Sequence, residues 1–414
     1  MPTNSSSTST LLIIGYVWPE PNSSAAGARM MQLIKSFQTS GYRVVYASPA
    51  DPSDHAVDLK TIAVEPLSIA LNCSSFNEQV KAIQPDVVMF DRFMMEEQFG
   101  WRVSQEFPAA LRILDMEDLH SLRHARHQAI KNERCDDALD LNSELALREV
   151  ASIYRCDVSL VISSYEYQLL RDRYQVPTSQ LLLLPFMVPL AGASQGLSFE
   201  QRQHFVSIGN FRHAPNWDAV LQLRQLWPAI RQQCPGAELH IYGAYPPKKA
   251  TQLDNPKLGF CIKGWANNVA AVMQHGRVLL APLRFGAGLK GKLLDAMLYG
   301  LPSVTTPIGA EGMTTEAPWP GAITSNDQDF IEAAVELYNA QQRWQQTRLT
   351  IPAHLQQYDE QSLSNRLQQH VQAIRSDINS HRQRHFIGAM LLHHSMKSTQ
   401  YMSQWIEEKN RTKT

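Results

Sequence analysis

The 414-residue chain is short of cysteine, of charge imbalance and of long apolar runs. Its five cysteines (Cys73, Cys135, Cys156, Cys234 and Cys261) are scattered, with no Cys-x-x-Cys pair and no Cys/His grouping at ligand spacing. That pattern excludes a disulfide scaffold and a zinc module, and leaves reduced thiols in a cytoplasmic protein as the expectation. Basic and acidic residues number 38 and 39, a net charge of -1. No global positive field is available for a polyanion, so nucleic acid is not an expected partner. The longest apolar stretch, residues 181–193, is interrupted by Pro185 and Pro189 and falls short of the roughly 20 residues a spanning helix needs. Membrane contact is therefore expected to be peripheral at most. The polar start, Met1-Pro-Thr-Asn-Ser-Ser-Ser, lacks the basic region of a secretory signal. His393-His394 has no second cluster at ligand spacing, and no metal is expected there.

What is present is the composition of a soluble globular protein, 44% hydrophobic and 19% charged, at a length that favours two domains. Short apolar runs at 11–16, 44–47, 86–90, 111–114, 158–162 and 181–184 alternate with helical patterns. One such helix carries Met30, Leu33, Ile34 and Phe37 and stops at Gly41. Residues 188–200 have the Pro/Gly/Ser/Ala composition of a linker. The alternation then restarts with strands at 205–208, 238–242, 259–262, 278–281 and 303–305, and helices at 217–231 and 292–299. Strand–helix alternation implies parallel strands with right-handed crossovers, an α/β doubly wound architecture in each half. Two such halves place a cleft between two carboxyl-end crevices, where these sheets bind ligands. From about residue 351 the pattern is helical, rich in Gln, His and Arg. The expected organisation is residues 1–190 and 191–350 as two Rossmann-like domains, with 351–414 a helical tail packing back across them.

The most informative segment is Arg284-Phe-Gly-Ala-Gly-Leu-Lys-Gly-Lys-Leu-Leu-Asp295, which follows a strand. Gly286, Gly288 and Gly291 allow the backbone to approach a ligand closely. A helix begins near Gly291 and stops before Gly300-Leu-Pro302. Free N–H groups and the positive dipole end at that helix start favour an anion, and Arg284, Lys290 and Lys292 add full positive charges. A diphosphate meets these requirements together. Asp295 is suited to accept hydrogen bonds from sugar or ribose hydroxyls, and shares a helical face with Lys292 and Tyr299. A glycine-rich connection with solvated lysines is the plainer alternative. The spacing is neither that of a Walker A loop nor that of GxGxxG.

Followed by Ser303-Val-Thr-Thr-Pro-Ile-Gly-Ala-Glu-Gly312, this segment resembles the donor site of GT-B glycosyltransferases, in particular the retaining group known as glycosyltransferase family 4. Ser207-Ile-Gly-Asn-Phe-Arg-His-Ala-Pro-Asn-Trp-Asp218 resembles the start of that group's C-terminal domain, and Arg155-Cys-Asp-Val-Ser-Leu-Val-Ile-Ser-Ser164 a strand late in its N-terminal domain. The likeness implies two Rossmann-like domains and a helix crossing back to the first. It further implies a nucleoside-diphosphate sugar as donor substrate, retention of anomeric configuration, and neither metal nor resident cofactor. The expected acceptor is a glycan, a lipid-linked glycan or a protein, among which the sequence does not choose. Two departures stand out. The family's paired glutamates fall here on Ala287 and Asp295, and Gly209-Asn-Phe-Arg-His does not reproduce the usual Arg and Lys.

In the same likeness the loop Pro19-Glu-Pro-Asn-Ser-Ser-Ala-Ala-Gly-Ala-Arg29 faces the donor phosphate. Gly27 at a helix start suits that role, and Glu20 is placed to reach an acceptor hydroxyl. Leu114-Asp-Met-Glu-Asp-Leu-His-Ser-Leu-Arg123 concentrates Asp115, Glu117, Asp118, His120 and Arg123 after a strand, which suits acid/base work or acceptor binding and equally suits a helix cap with surface charges. Asn216 either lines the cleft beside His213 or caps a helix starting at Trp217. Trp265 either flanks the nucleobase or fills a core. The expected catalytic set is Glu20, Asp118, His120, Arg284 and Lys290. The expected donor-binding set is Gly27, Arg212, His213, Asn216, Gly286, Gly288, Lys290, Lys292, Asp295 and Glu311.

Overall fold

The computed structural model describes residues 8–133, 139–190 and 197–411. Cys135, the first seven residues and 191–196, the middle of the expected linker, lie outside the described residues.

The apolar runs of the first half form a seven-stranded parallel sheet from β1 (Thr10–Ile14), β2 (Arg43–Ser48), β3 (Glu65–Ser68), β4 (Val87–Asp91), β5 (Leu111–Asp115), β6 (Val158–Val161) and β7 (Leu181–Leu183). The order is β3-β2-β1-β4-β5-β6-β7. Leu11 pairs with Val44 on one side and Val87 on the other, which makes β1 central. Its five residues are all buried, as expected of a parallel strand covered on both faces. Leu12, Ile14, Val88 and Leu114 pack into one helical layer, whereas Leu11, Ile13, Met89 and Ile113 pack into the other. At roughly 1.5–3 kcal/mol per fully buried aliphatic side chain, these two layers fix the register.

A second sheet repeats the plan with β8 (Gln203–Ile208), β9 (Leu239–Tyr242), β10 (Phe260–Gly264), β11 (Gly276–Ala281), β12 (Ser303–Thr305) and β13 (Gly321–Ile323). The order is β10-β9-β8-β11-β12-β13, all parallel. Two strands lie outside the apolar pattern. Edge strand β3 contains Pro66 and has no buried residue. β13 begins with Gly321, where a Cβ would stand 1.9 Å from Ser303 O, so this short edge depends on close backbone approach rather than on apolar alternation. The helix expected from Trp217 instead runs Ala214–Gln233, with His213 at its N-cap and Pro215 in its first turn. Asn216 is therefore inside the helix and does not cap it.

The chain crosses between the sheets twice, at 184–202 and 355–360. The crossings are joined, because Val188 N donates to Tyr358 O at 2.8 Å and Glu360 N to Val188 O at 3.0 Å. The helix Glu360–Ser376 then lays Leu363, Leu367, Val371 and Ile374 into the first sheet's core. Arg375 pairs with Asp86 at 2.8 Å, and Arg382 forks onto Asp157 with both contacts at 2.7 Å. The last helix, Phe386–Arg411, packs against the helices Phe93–Glu106 and Glu144–Arg155.

Candidate active site

β11 delivers the glycine- and lysine-rich loop to the carboxyl edge of the second sheet, where it is pressed against the first. Gly288 has φ +61°, and a Cβ there would lie 2.8 Å from Asp118 Cβ. A Cβ on Gly291 would lie 2.8 Å from that of Ala25. These glycines thus serve contact between the two halves as well as any approach to a ligand. One carboxylate stitches the loop in place, since Glu166 Oε1 accepts from Gly288 N at 2.7 Å and from Leu119 N at 3.1 Å. Burial, with Asp118 nearby, pushes Glu166 up to about 8. A second tie runs from Arg126, which donates to Gly286 O at 2.8 Å and forks onto both oxygens of Glu311 at 2.8 and 2.7 Å. Glu311, expected at the donor, is thus already held by a cation from the opposite half.

Two cations flank the start of the helix Gly291–Leu298. Lys290 donates to Gly288 O at 2.6 Å and Ala287 O at 3.2 Å. Burial lowers its pKa, opposed by Glu311 and Glu166. Lys292 donates to Asn216 Oδ1 at 2.8 Å, and burial with Lys290 close by brings it down to about 8. Asp295, on the same helix, is pushed up to about 7 by burial. Arg284 departs from expectation. Its guanidinium forks onto Asp218 of the helix Ala214–Gln233, once at 2.9 Å and once more closely, and its side chain is half-exposed. Its charge is thus paired with Asp218. Ala287, where the family pattern has a glutamate, is buried in the first sheet's core cluster.

Opposite this loop, Asp118 lies 3.4 Å from His120 Nε2 and is bound by Arg123. Burial would raise Asp118, but Arg123, His120 and His213 outweigh it and hold it below the usual carboxylate range. Burial takes His120 down to about 4, so the ring is neutral at pH 7. Glu149 orients this residue by accepting His120 N and Ser121 N, each at 2.9 Å, which caps the helix His120–Lys131. Beside them Glu117 has φ +59°, is buried, and is pushed up to about 8 by burial and Asp115. Arg29 and Asp115 form an ion pair at 2.9 Å with no exposed side-chain surface. His120, Arg123, His124, His213, Phe93 and Phe285 line a cavity of about 350 Å³ that opens between the halves.

At the far side of the cleft Glu20 accepts from Tyr245 Oη at 3.0 Å and from Ser53. These hydrogen bonds, with one from Ser23, outweigh burial and lower its pKa. Gly27 has its N–H on the capping Ser24 Oγ at 3.0 Å, and a Cβ there would meet the Glu20 backbone at 2.4 Å. It is required for packing, and its N–H is committed to the cap. Trp265 is half-buried and belongs to none of the core clusters. Its ring stacks on His55 at 4.1 Å, His55 meets Tyr245 edge-on at 5.1 Å, and Arg212 lies 3.6 Å over the Tyr245 ring. His204, Glu238 and His240 bring ligand atoms within 4.8 Å of one another. Yet His204 Nδ1 accepts Glu238 N at 3.2 Å and His240 Nε2 meets Glu238 at 2.7 Å, so the three satisfy each other. His393 and His394 stand exposed on the last helix.

The pairing partners Glu166, Arg126 and Glu149 were not legible as site residues. Each meets its counterpart across a long stretch of chain, and no local spacing marks it.

Two parallel Rossmann-like sheets, a cleft between their carboxyl edges and a returning helical tail define the GT-B fold of glycosyltransferases. Residues 202–340, spanning the second sheet, match the family model described as Glycosyl transferases group 1. Among solved structures, HepE of Anabaena in complex with UDP is similar with a TM-score of 0.65 at 11% identity, over 88% of this chain and 100% of that one. The sucrose-phosphate synthase of Thermosynechococcus elongatus gives 0.63 at 15%, over 88% and 99%. The lipopolysaccharide outer core galactosyltransferase WaaB, in apo form, gives 0.59 at 14%, over 88% and 99%. Against TarM of S. aureus the match covers 69% of this chain and only 55% of TarM, with TM-score 0.54 and 11% identity. At these identities the likeness is one of fold. No curated protein matches the chain by sequence.

Proposed function

We propose that the chain transfers a sugar from a nucleoside-diphosphate sugar to a hydroxyl acceptor, with retention and without a metal requirement. The carrying observation is the placement of Lys290, Lys292 and the start of the Gly291–Leu298 helix in the group 1 glycosyltransferase region, facing Ala25, Asp118 and His120 across the cleft. As the bond from the sugar's anomeric carbon to the diphosphate breaks, negative charge grows on the leaving group. The acceptor hydroxyl bonds to that carbon while passing its proton to the departing diphosphate oxygen. Two ammonium groups and a helix start are suited to stabilise the growing charge. Neutral His120, fixed by Glu149, is suited to hydrogen-bond the transferred sugar, and the 350 Å³ cavity to receive the acceptor. In this reading residues 1–190 bind the acceptor and 191–350 the donor, and 351–414 ties the two. A glycan, a lipid-linked glycan or a protein serves as acceptor in the cytoplasm, a location the unpaired thiols of Cys73, Cys156, Cys234 and Cys261 suit.

The test is thermal stabilisation across UDP-, GDP- and ADP-sugars, with product configuration read by NMR. One nucleotide class at saturation is expected to raise the melting temperature by several degrees, and Lys290→Ala to abolish the rise. No shift with any donor would sink the donor site. A second reading, a catalytically silent nucleotide-sugar or glycan binding protein, is favoured by one observation. Position 287, where the family pattern has a carboxylate, is an alanine packed in apolar core. Tight donor binding with neither transfer nor hydrolysis would select that reading.

A further inference from the structure

A second cavity, of about 400 Å³, opens between the halves and shares no lining residue with the first. Small-molecule sites occupy roughly 300–1,000 Å³, and this one is of that size. One wall is the helix Ser164–Asp172, which follows β6, and the facing wall is the turn after β12, residues 307–314. Tyr165 and Gln168, three residues apart on that helix, border the cavity together. Tyr165 is 38% exposed. The Arg126 guanidinium lies over its ring, 5.2 Å from the centroid, and is itself forked onto Glu311. The ring is thus held by a charged pair on one side, and the rest of it borders the cavity.

The lining decides the class of ligand. Tyr165, Pro307 and Ile323 offer apolar surface, and Gln168, Thr314 and Glu311 offer an amide, a hydroxyl and a carboxylate. Among the described residues no lysine or arginine lines the cavity. A phosphate or other anion would therefore meet the Glu311 charge, while Arg126 is already engaged with that carboxylate at 2.8 and 2.7 Å. A wholly apolar ligand would cover the amide and the hydroxyl without pairing them. A sugar ring fits both halves of the lining. It has a C–H face to lay on an aromatic ring, and a rim of hydroxyls that each donate and accept. The two Arg126 bonds leave about two of the roughly four lone-pair sites of the Glu311 carboxylate for such hydroxyls. We propose that this cavity binds a neutral sugar ring, stacked on Tyr165 and hydrogen-bonded to Gln168, Thr314 and Glu311. The inference does not depend on the transfer reaction.

The experiment is saturation-transfer NMR on the full chain with the methyl glycosides of glucose, galactose, mannose and N-acetylglucosamine, with and without excess UDP. At least one glycoside is expected to take up saturation, most strongly at the C–H protons of one ring face, and to do so equally with UDP present. Tyr165→Ala is expected to weaken that binding about tenfold, whereas Tyr165→Phe keeps the ring and the binding. Thr314→Val is expected to weaken it several-fold. Tyr165 and Thr314 are exposed, so these variants should melt near wild type. Absence of saturation in all four glycosides overturns the proposal, as does undiminished saturation in Tyr165→Ala. A signal that UDP abolishes also overturns it, by placing the sugar in the donor cleft. So does displacement of the glycoside by inorganic phosphate at constant ionic strength, which would make the cavity an anion site.

Discussion

Lys292 holds its proton only weakly because burial and Lys290 disfavour a second positive charge in the cleft, which brings it down to about 8. A bound diphosphate reverses that balance. The complex therefore takes up a proton at and above pH 8, and affinity for a nucleoside diphosphate falls as pH rises through that value. Calorimetry in buffers of different ionisation enthalpy should detect the uptake, and Lys292→Gln should abolish it. Glu166 makes a different prediction. Its Oε1 accepts two backbone N–H groups from opposite halves of the molecule. Glu166→Ala leaves both without a partner, at roughly 1–3 kcal/mol each, whereas Glu166→Gln keeps an acceptor and should unfold near wild type in urea. His120 is neutral when folded, down to about 4, while the unfolded chain protonates near the ordinary histidine value. Stability should therefore decline as pH falls from about 6.5 toward 4, and less so in His120→Asn. The placement of Lys290 and Lys292 at a helix start was legible, because a glycine-rich loop running into a helix is a local pattern. Glu166 and Arg126 were not, because they meet their partners 122 and 160 residues along the chain.

Among the elements, the loop before the Gly291–Leu298 helix is the one whose shape depends on a single residue type. Gly288 combines φ +61° with a Cβ position 2.8 Å from Asp118 Cβ. Gly288→Ala adds left-handed strain of roughly 1–2 kcal/mol and pushes the two halves apart. The expected outcome is a larger radius of gyration by X-ray scattering and weaker donor binding, with each sheet still folded by circular dichroism. Strands such as β1, β4 and β11 were legible because parallel strands buried on both faces are near-continuous apolar runs. β3 and β13 were not, since one contains proline and the other a glycine whose value lies in approaching Ser303. Arg284 has a partner that the sequence did not disclose. Its neighbour in sequence is the glycine loop, yet its neighbour in space is Asp218 on a helix 66 residues earlier.

Across the whole molecule the halves meet along a line of ties, from Arg126–Glu311 through Glu166 to the His55–Trp265 stack. Arg126→Ala removes the donor to Gly286 O and both oxygens of Glu311, and should shift scattering toward a more open form that a bound nucleotide sugar partly restores. The stack supplies the complementary readout, since Trp265 fluorescence should rise or fall with separation from His55.

The two chain crossings are sewn together at one spot, Val188 to Tyr358 and Glu360. A body joined to another at a single fastened point can swing but can hardly slide. Once the ties at Arg126, Glu166 and Trp265 release, the expected motion is a swing about that fastening. A bulkier ligand is met by a wider angle and not by a shifted register, so its steric cost is felt farthest from the fastening. A graded series of ligands would thus be read as a graded series of angles, with the crossing itself unchanged.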